Sequence, residues 1–137
     1  CIRDSGVIVD RMELNLEPGG EGRFAGGRGI VMDYRMRARD GLLTMGYTRS
    51  KFPPWGLDGG RDGTPNYVEV LRKAGGRERY AFVSGLKLGP DDVIRVVTAN
   101  GGGLGDPRQR SREAVARDMR NGLVTAERVA EVYGEAV

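Results

Sequence analysis

Residues Pro53-Pro54-Trp55-Gly56-Leu57-Asp58-Gly59-Gly60 gather two of the chain's six prolines, three glycines and its only tryptophan. Proline fixes φ and lacks an amide donor, whereas glycine takes positive φ freely. Such a stretch cannot run as a regular helix or a central strand, and it reads as a rigid loop presenting Trp55. Two further glycine stretches stand far from it, Gly19-Gly20-Glu21-Gly22-Arg23-Phe24-Ala25-Gly26-Gly27-Arg28-Gly29 and Gly101-Gly102-Gly103-Leu104-Gly105-Asp106-Pro107. Twenty-three glycines in 137 residues, with no collagen period, call for many turns and close backbone approaches. That favours a mainly β domain, a sandwich or barrel-like.

The runs between the glycine corners are extended. Val7, Val9, Met12, Leu14 and Leu16 mark a first strand, the last three alternating with polar residues as a half-buried strand does. Pro18-Gly19-Gly20 ends it. Ile30 to Met36 alternates again, Asp40-Gly41 reads as a hairpin turn, and Leu42 to Tyr47 follows as a strand. Asn66 to Arg72, the piece starting at Tyr80, and Leu86 to Val97 complete the set, the last ending in the β-branched run Val93-Ile94-Arg95-Val96-Val97. The tail changes period. Ser111 and Thr125 are placed as N-caps, Val115 and Met119 share one helix face, Val129, Val132 and Tyr133 another, and Gly122 and Gly134 stand where helices stop. The expected organisation is a glycine-rich β domain over 1–107, with 108–137 as the helical tail of the same domain.

Charge excludes little by itself. Twenty-two basic and 19 acidic residues leave +3, and the bases are interspersed with acids, which argues against nucleic acid as the partner. Arg35, Arg37 and Arg39 alternate on one strand face, with Arg23 and Arg28 near in sequence; a solvated face explains them better than an anion patch. The lone cysteine, Cys1, forbids an intrachain disulfide and suits a reducing cytoplasm. No apolar run has the length of a membrane span.

The candidate sites weigh as follows. Gly22 to Gly27 resembles a dinucleotide fingerprint, but that motif needs a helix after it and β-like sequence follows. Gly101 to Gly105 suits a backbone nest for an anion, although Asp106-Pro107 argues for a tight corner. Trp55 reads first as a half-buried anchor and second as a pocket wall or an inter-domain contact, and Asp58 as a turn-stabilising side chain before a metal ligand or a base. Cys1 as an N-terminal nucleophile finds no histidine to assist it, for the chain has none. Asp91 and Asp92 are the adjacent acids at a strand start, and their spacing does not argue for catalytic carboxylates.

The order G-G-x-G-R-F-x-G-G-x-G, P-P-W-G-L-x-G-G, G-G-G-x-G-D-P and then R-D-M-R-N-G-L-V-T-A-E-R-V-A-E-V-Y-G resembles the C-terminal end of the hydantoinase B / 5-oxoprolinase family, over residues 10 to 134. Asn100 stands where that family usually has proline, and Gly89-Pro90-Asp91-Asp92 replaces its usual G-D. The resemblance implies part of a subunit of an ATP-dependent cyclic-amide hydrolase of hydantoin or 5-oxoproline type, working with a hydantoinase A-like, ATP-using subunit that phosphorylates a carbonyl oxygen. It implies that ATP and a divalent metal are bound elsewhere in the complex, with the metal-binding His and Asp in an N-terminal part missing from this sequence. The chain is thus expected to be a fragment, a processed subunit or a trimmed form. No catalytic, cofactor or metal residue is assigned to it. Pro54, Trp55, Gly56, Asp58, Gly59 and Gly60 are the candidates for a substrate-pocket wall or an interface in a homo- or hetero-oligomer. An ATP-dependent ketone carboxylase subunit, a non-catalytic assembly module and a polyanion-binding domain are the alternatives.

Overall fold

The structure is a computed structural model that describes residues 5–134; the reading of Cys1 lies outside them. The chain forms two compact units, each built from three separate segments.

The first unit comprises 1–15, 29–51 and 66–98. It carries strands β1 (Val7–Leu14), β2 (Ile30–Met36), β3 (Gly41–Gly46), β4 (Tyr67–Leu71), β5 (Arg77–Tyr80), β6 (Phe82–Leu88) and β7 (Val93–Val97). A five-stranded sheet runs β1-β2-β7-β4-β5 and a two-stranded sheet pairs β3 with β6. All of these pairs are antiparallel. Met36, Val68, Val70, Ile94 and Val96 from the large sheet pack with Val83 and Leu88 of β6 in one buried cluster. Two faces closing on one apolar layer make the unit sandwich-like, and the described strands form no closed barrel.

Alternation placed the strands, and irregularities the sequence did not announce divide them. In β1 the register slips between Val9 and Arg11, a bulge at Asp10 that moves the apolar positions from odd to even numbers. Val7 and Val9 therefore share a face with Met12 and Leu14. The expected half-buried end of that strand is nonetheless open to solvent, with Met12 66% and Leu16 56% exposed. Asp40-Gly41 is not a hairpin turn: β2 pairs with β1 and β7, and β3 pairs with β6, so the chain changes sheets there. It changes again at Ala81, between β5 and β6. The run Leu86 to Val97 is two strands, cut by a turn in which Asp91 takes φ +66 behind Pro90 and the Gly89 amide donates to the Asp92 carboxylate at 3.0 Å.

The second unit comprises 16–28, 52–65 and 99–137. Here helices α1 (Arg112–Arg120) and α2 (Ala126–Tyr133) begin where the sequence capped them. Ser111 Oγ accepts the Ala114 amide and Thr125 Oγ1 that of Arg128, both at 3.3 Å. Gly122 and Gly134 close them at φ +67 and +87. Val115, Val129 and Val132 are the buried residues of these helices.

Candidate functional site

The three glycine stretches, far apart in sequence, meet in the second unit as one hydrogen-bonded knot. Phe24 and Leu104 exchange backbone bonds at 2.9 Å in both directions, Leu57 N–H donates to Gly103 O at 2.9 Å, and Gly105 N–H to Leu57 O at 2.9 Å. Arg61 N–H reaches Glu21 O at 2.7 Å, and Gly20 N–H reaches Asp62 O at 2.7 Å. The glycines lie where main chains cross. A Cβ on Gly26 would overlap the Gly101 carbonyl, one on Gly60 the Gly103 carbonyl, and one on Gly102 the Trp55 carbonyl. Close approach of backbones is what these positions require.

That bonding disposes of both anion readings. Gly101, Gly103, Leu104 and Gly105 give their amides to Gly27, Arg61, Phe24 and Leu57 carbonyls, all at 2.9 Å, so these four do not form a run of amides open to an anion. In the first stretch the Gly20, Arg23, Phe24 and Gly26 amides are likewise given to carbonyls, and strand β2 follows where a dinucleotide site needs a helix. Asn100 also gains a reason. Its backbone N–H donates to Thr64 Oγ1 at 2.8 Å and its side-chain amide to Glu17 O at 2.9 Å, in a position only 1% exposed. Proline could make neither bond.

The proline-glycine loop sits in this knot. Gly60 N–H bonds to Leu57 O at 2.8 Å around Asp58 at φ +49 and Gly59 at φ +89, a tight turn with two positive-φ residues of the Asp-Gly kind. Pro54 O accepts the Gly63 amide at 2.8 Å. The carboxylate that holds the Gly56 amide, at 2.8 Å, belongs to Asp62 and not to Asp58. Trp55 is not a half-buried anchor: 59% of it is exposed, its carbonyl lying against Gly102. Sequence reasoning missed the residues beside it. Phe24, Leu57 and Leu104 are all exposed large apolar side chains on the laterally bridged segments.

A cavity of about 250 Å³ opens on the other residues of the knot, lined by Glu21, Arg28, Arg110, Asp118, Leu123 and Tyr133 among others. Its charges are spent on each other and on the main chain. Glu21 accepts Arg128 at 2.7 Å, Asp118 accepts Arg110 at 2.7 Å, and Arg28 donates to Glu17 O and Leu123 O at 3.0 and 2.7 Å. Burial pushes the Glu21 carboxyl up, but Arg128 and its neighbours outweigh this and hold it below the usual range. Burial raises the Tyr133 phenol. Glu21 Oε2 and Arg110 Nε are buried without a hydrogen-bond partner among the described residues. Guanidiniums that staple carbonyls and carboxylates together are framework, and the signal for them in sequence was nil beyond their charge.

Asp91 and Asp92 are framework too. Asp92, 6% exposed, accepts the Gly89 and Lys73 amides at 3.0 Å and Arg72 Nη1 at 2.9 Å, while Asp91 takes Lys73 Nζ at 2.6 Å. Among the described residues no three His, Cys, Asp or Glu side chains converge as metal ligands would. No described helix is long and apolar enough to cross a membrane.

The sequence pattern described as Hydantoinase B/oxoprolinase matches residues 3–107. The chain belongs to the hydantoinase B/oxoprolinase family. It is 30% identical over 132 residues, 94% of its length, to the B-type subunit of a putative D-/L-hydantoinase from a Pseudomonas species. It is 26% identical to the beta chain of the caprolactamase of Pseudomonas jessenii over 96% of its length. The crystal structure of the ATP-dependent caprolactamase of that organism superposes on 96% of the chain with a TM-score of 0.74 at 26% identity. The nucleotide-free acetone carboxylase structure superposes on 96% with a TM-score of 0.75 at 19% identity, a likeness of fold. The chain spans about a fifth of these curated relatives, 22% and 23% of their lengths, and 24% and 22% of the two solved chains.

Proposed function

We propose that this chain is the C-terminal β domain of a B-type subunit in an ATP-dependent hydrolase of cyclic amides, the class that includes hydantoins, 5-oxoproline and lactams. The observation that carries the reading is the glycine knot. Its three stretches are the blocks the family resemblance rests on, and their role is to fix the Pro54–Gly60 loop and its apolar neighbours rigidly at the surface. In that subunit the domain supplies scaffold and, through the Pro54–Gly60 loop, an interface. Hydrolase is preferred to ketone carboxylase because the relatives alike in sequence are named as a hydantoinase and a caprolactamase, whereas the carboxylase likeness is one of fold.

The side chains present do not fit ATP or a divalent metal. The Gly20, Gly26, Gly101, Gly103 and Gly105 amides are bonded to carbonyls, and no ligand cluster converges among the described residues. Both groups belong, in this reading, to the remainder of the subunit and to a hydantoinase A-like partner in a cytoplasmic hetero-oligomer. The test is purification of the native assembly, identification of every polypeptide in it, and an assay of ATP-dependent ring opening on hydantoins, 5-oxoproline and lactams. Co-purification with an ATP-using subunit and ATP hydrolysis coupled to ring opening is the expected result. A chain that isolates alone, with no such activity in any fraction, would overturn it.

A further inference from the structure

Phe24, Leu104 and Leu57 stand on three adjacent backbone segments of the second unit, Phe24 bridging Leu104 in antiparallel sense and Leu57 bridging it in parallel sense. Residues paired laterally project from the same face of a sheet. These three are 60%, 42% and 57% exposed, and Trp55, two residues before Leu57, is 59% exposed. The backbone beneath them cannot yield: a Cβ on Gly22 would overlap the Leu104 main chain, and one on Gly60 the Gly103 carbonyl. A charge borders the face, with the Arg23 guanidinium 5.5 Å from the Phe24 ring centre. A rigid apolar centre with a charged rim is the anatomy of a protein interface. A hydrophobic face left in water marks an interaction site.

The length of the relatives argues for its occupant. Each aligns with 94–96% of this chain yet is four to five times longer, so a domain of this kind is built into a much larger polypeptide. We infer that the Phe24–Leu104–Leu57 face, with Trp55, docks an apolar segment of the remaining B-type polypeptide. This rests on the reading under Proposed function and makes the loop an internal interface of the larger chain. Burying four large side chains whose backbone the knot already fixes avoids the cost of ordering that backbone on docking.

The experiment is hydroxyl-radical footprinting of the native assembly, read peptide by peptide, together with photo-crosslinking from a photoreactive group replacing Leu57. Phe24, Trp55, Leu57 and Leu104 should be about fivefold less modified in the assembly than in the same protein denatured, as side chains in an interface core are. The crosslink should fall within the same polypeptide, outside the 137 residues. Modification equal to the denatured level overturns the inference, as does a crosslink to a second copy, to another subunit or to bound substrate. Ring-opening activity measured on the same preparation separates the two claims. An active assembly with an open face sinks the docking inference alone. An inactive one with a protected face sinks the hydrolase reading alone.

Discussion

Arg95 on β7 donates from Nε and Nη2 to the two carboxylate oxygens of Asp33 on β2, at 2.8 and 2.9 Å. The pair belongs to a row that crosses the whole five-stranded sheet in register. Arg11 lies opposite Asp33, Asp33 opposite Arg95, Arg95 opposite Glu69, and Glu69 opposite Arg79. Charges alternate strand by strand, and Arg77 adds a second guanidinium to Glu69. The reverse face of the same strands carries Met36, Val68, Val70, Ile94 and Val96 of the core. Asp33 is 7% exposed and Glu69 1%, so both anions depend on their arginines.

Removing one partner of a buried pair strands the other charge. Arg95→Met leaves Asp33 with Arg11 alone and takes the central cation from Glu69; it should cost about 3–5 kcal/mol in denaturant unfolding. The Asp33→Asn and Arg95→Met cycle should show a coupling of about 1–3 kcal/mol. Additive effects would mean the row contributes nothing as a unit.

The same carboxylates set the acid limit. Arg95 first, then Arg11, hold the Asp33 carboxyl below its usual range. At Glu69 burial pushes upward, but the bonds from Arg77 and Arg79 outweigh it. At Asp92 burial is again outweighed, by the Gly89 and Lys73 amides and Arg72. With folded pKa values depressed, the unfolded chain takes up protons first as pH falls. Stability should therefore be full above about pH 5 and decline as pH drops through and below the ordinary carboxyl values near 4. Melting temperatures between pH 7 and 2 would check this, and Glu69→Gln should flatten the acid limb.

The helix caps allow a sharper comparison with sequence. Ser111→Ala and Thr125→Ala should each lose about 1 kcal/mol, the usual value of an N-cap hydroxyl. Those caps were readable because a helix end is a local event, specified by a handful of neighbouring residues. Strand periodicity was readable for the same reason. The charge row was not. Asp33, Glu69 and Arg95 looked like scattered polar positions until strand order brought them together, and strand order depends on which residues far apart in sequence pair. The bulge at Asp10, which receives Arg35 at 2.8 and 3.0 Å, and the sheet changes at Asp40 and Ala81 are hidden in the same way. At the candidate site the Pro54–Gly60 loop stood out by composition, while Phe24 and Leu104 joined it only through backbone pairing.

The knot predicts opposite outcomes for adjacent glycines. A Cβ on Gly26 meets the Gly101 carbonyl, whereas one on Gly27 meets nothing within 4 Å. Gly26→Ala should cost about 3 kcal/mol by forcing crossed backbones apart. Gly27→Ala should fall within about 0.5 kcal/mol of neutral, as changes away from such contacts do. Equal effects in urea unfolding would show that the crossing is not tight.

Trp55 separates a structural anchor from a surface built for a partner. A tryptophan locked into a core loses about 3–5 kcal/mol on truncation to alanine. With 59% of the residue exposed, Trp55→Ala should change the stability of this chain by less than about 1 kcal/mol. The neighbouring Gly60→Ala removes no side chain and only adds a Cβ against the Gly103 carbonyl, yet should cost more. The order of the two melting temperatures decides the matter. If Trp55→Ala proves the more damaging, the indole holds the loop and the knot does not. If Gly60→Ala does, the backbone crossings hold the loop and the indole contributes little to its stability.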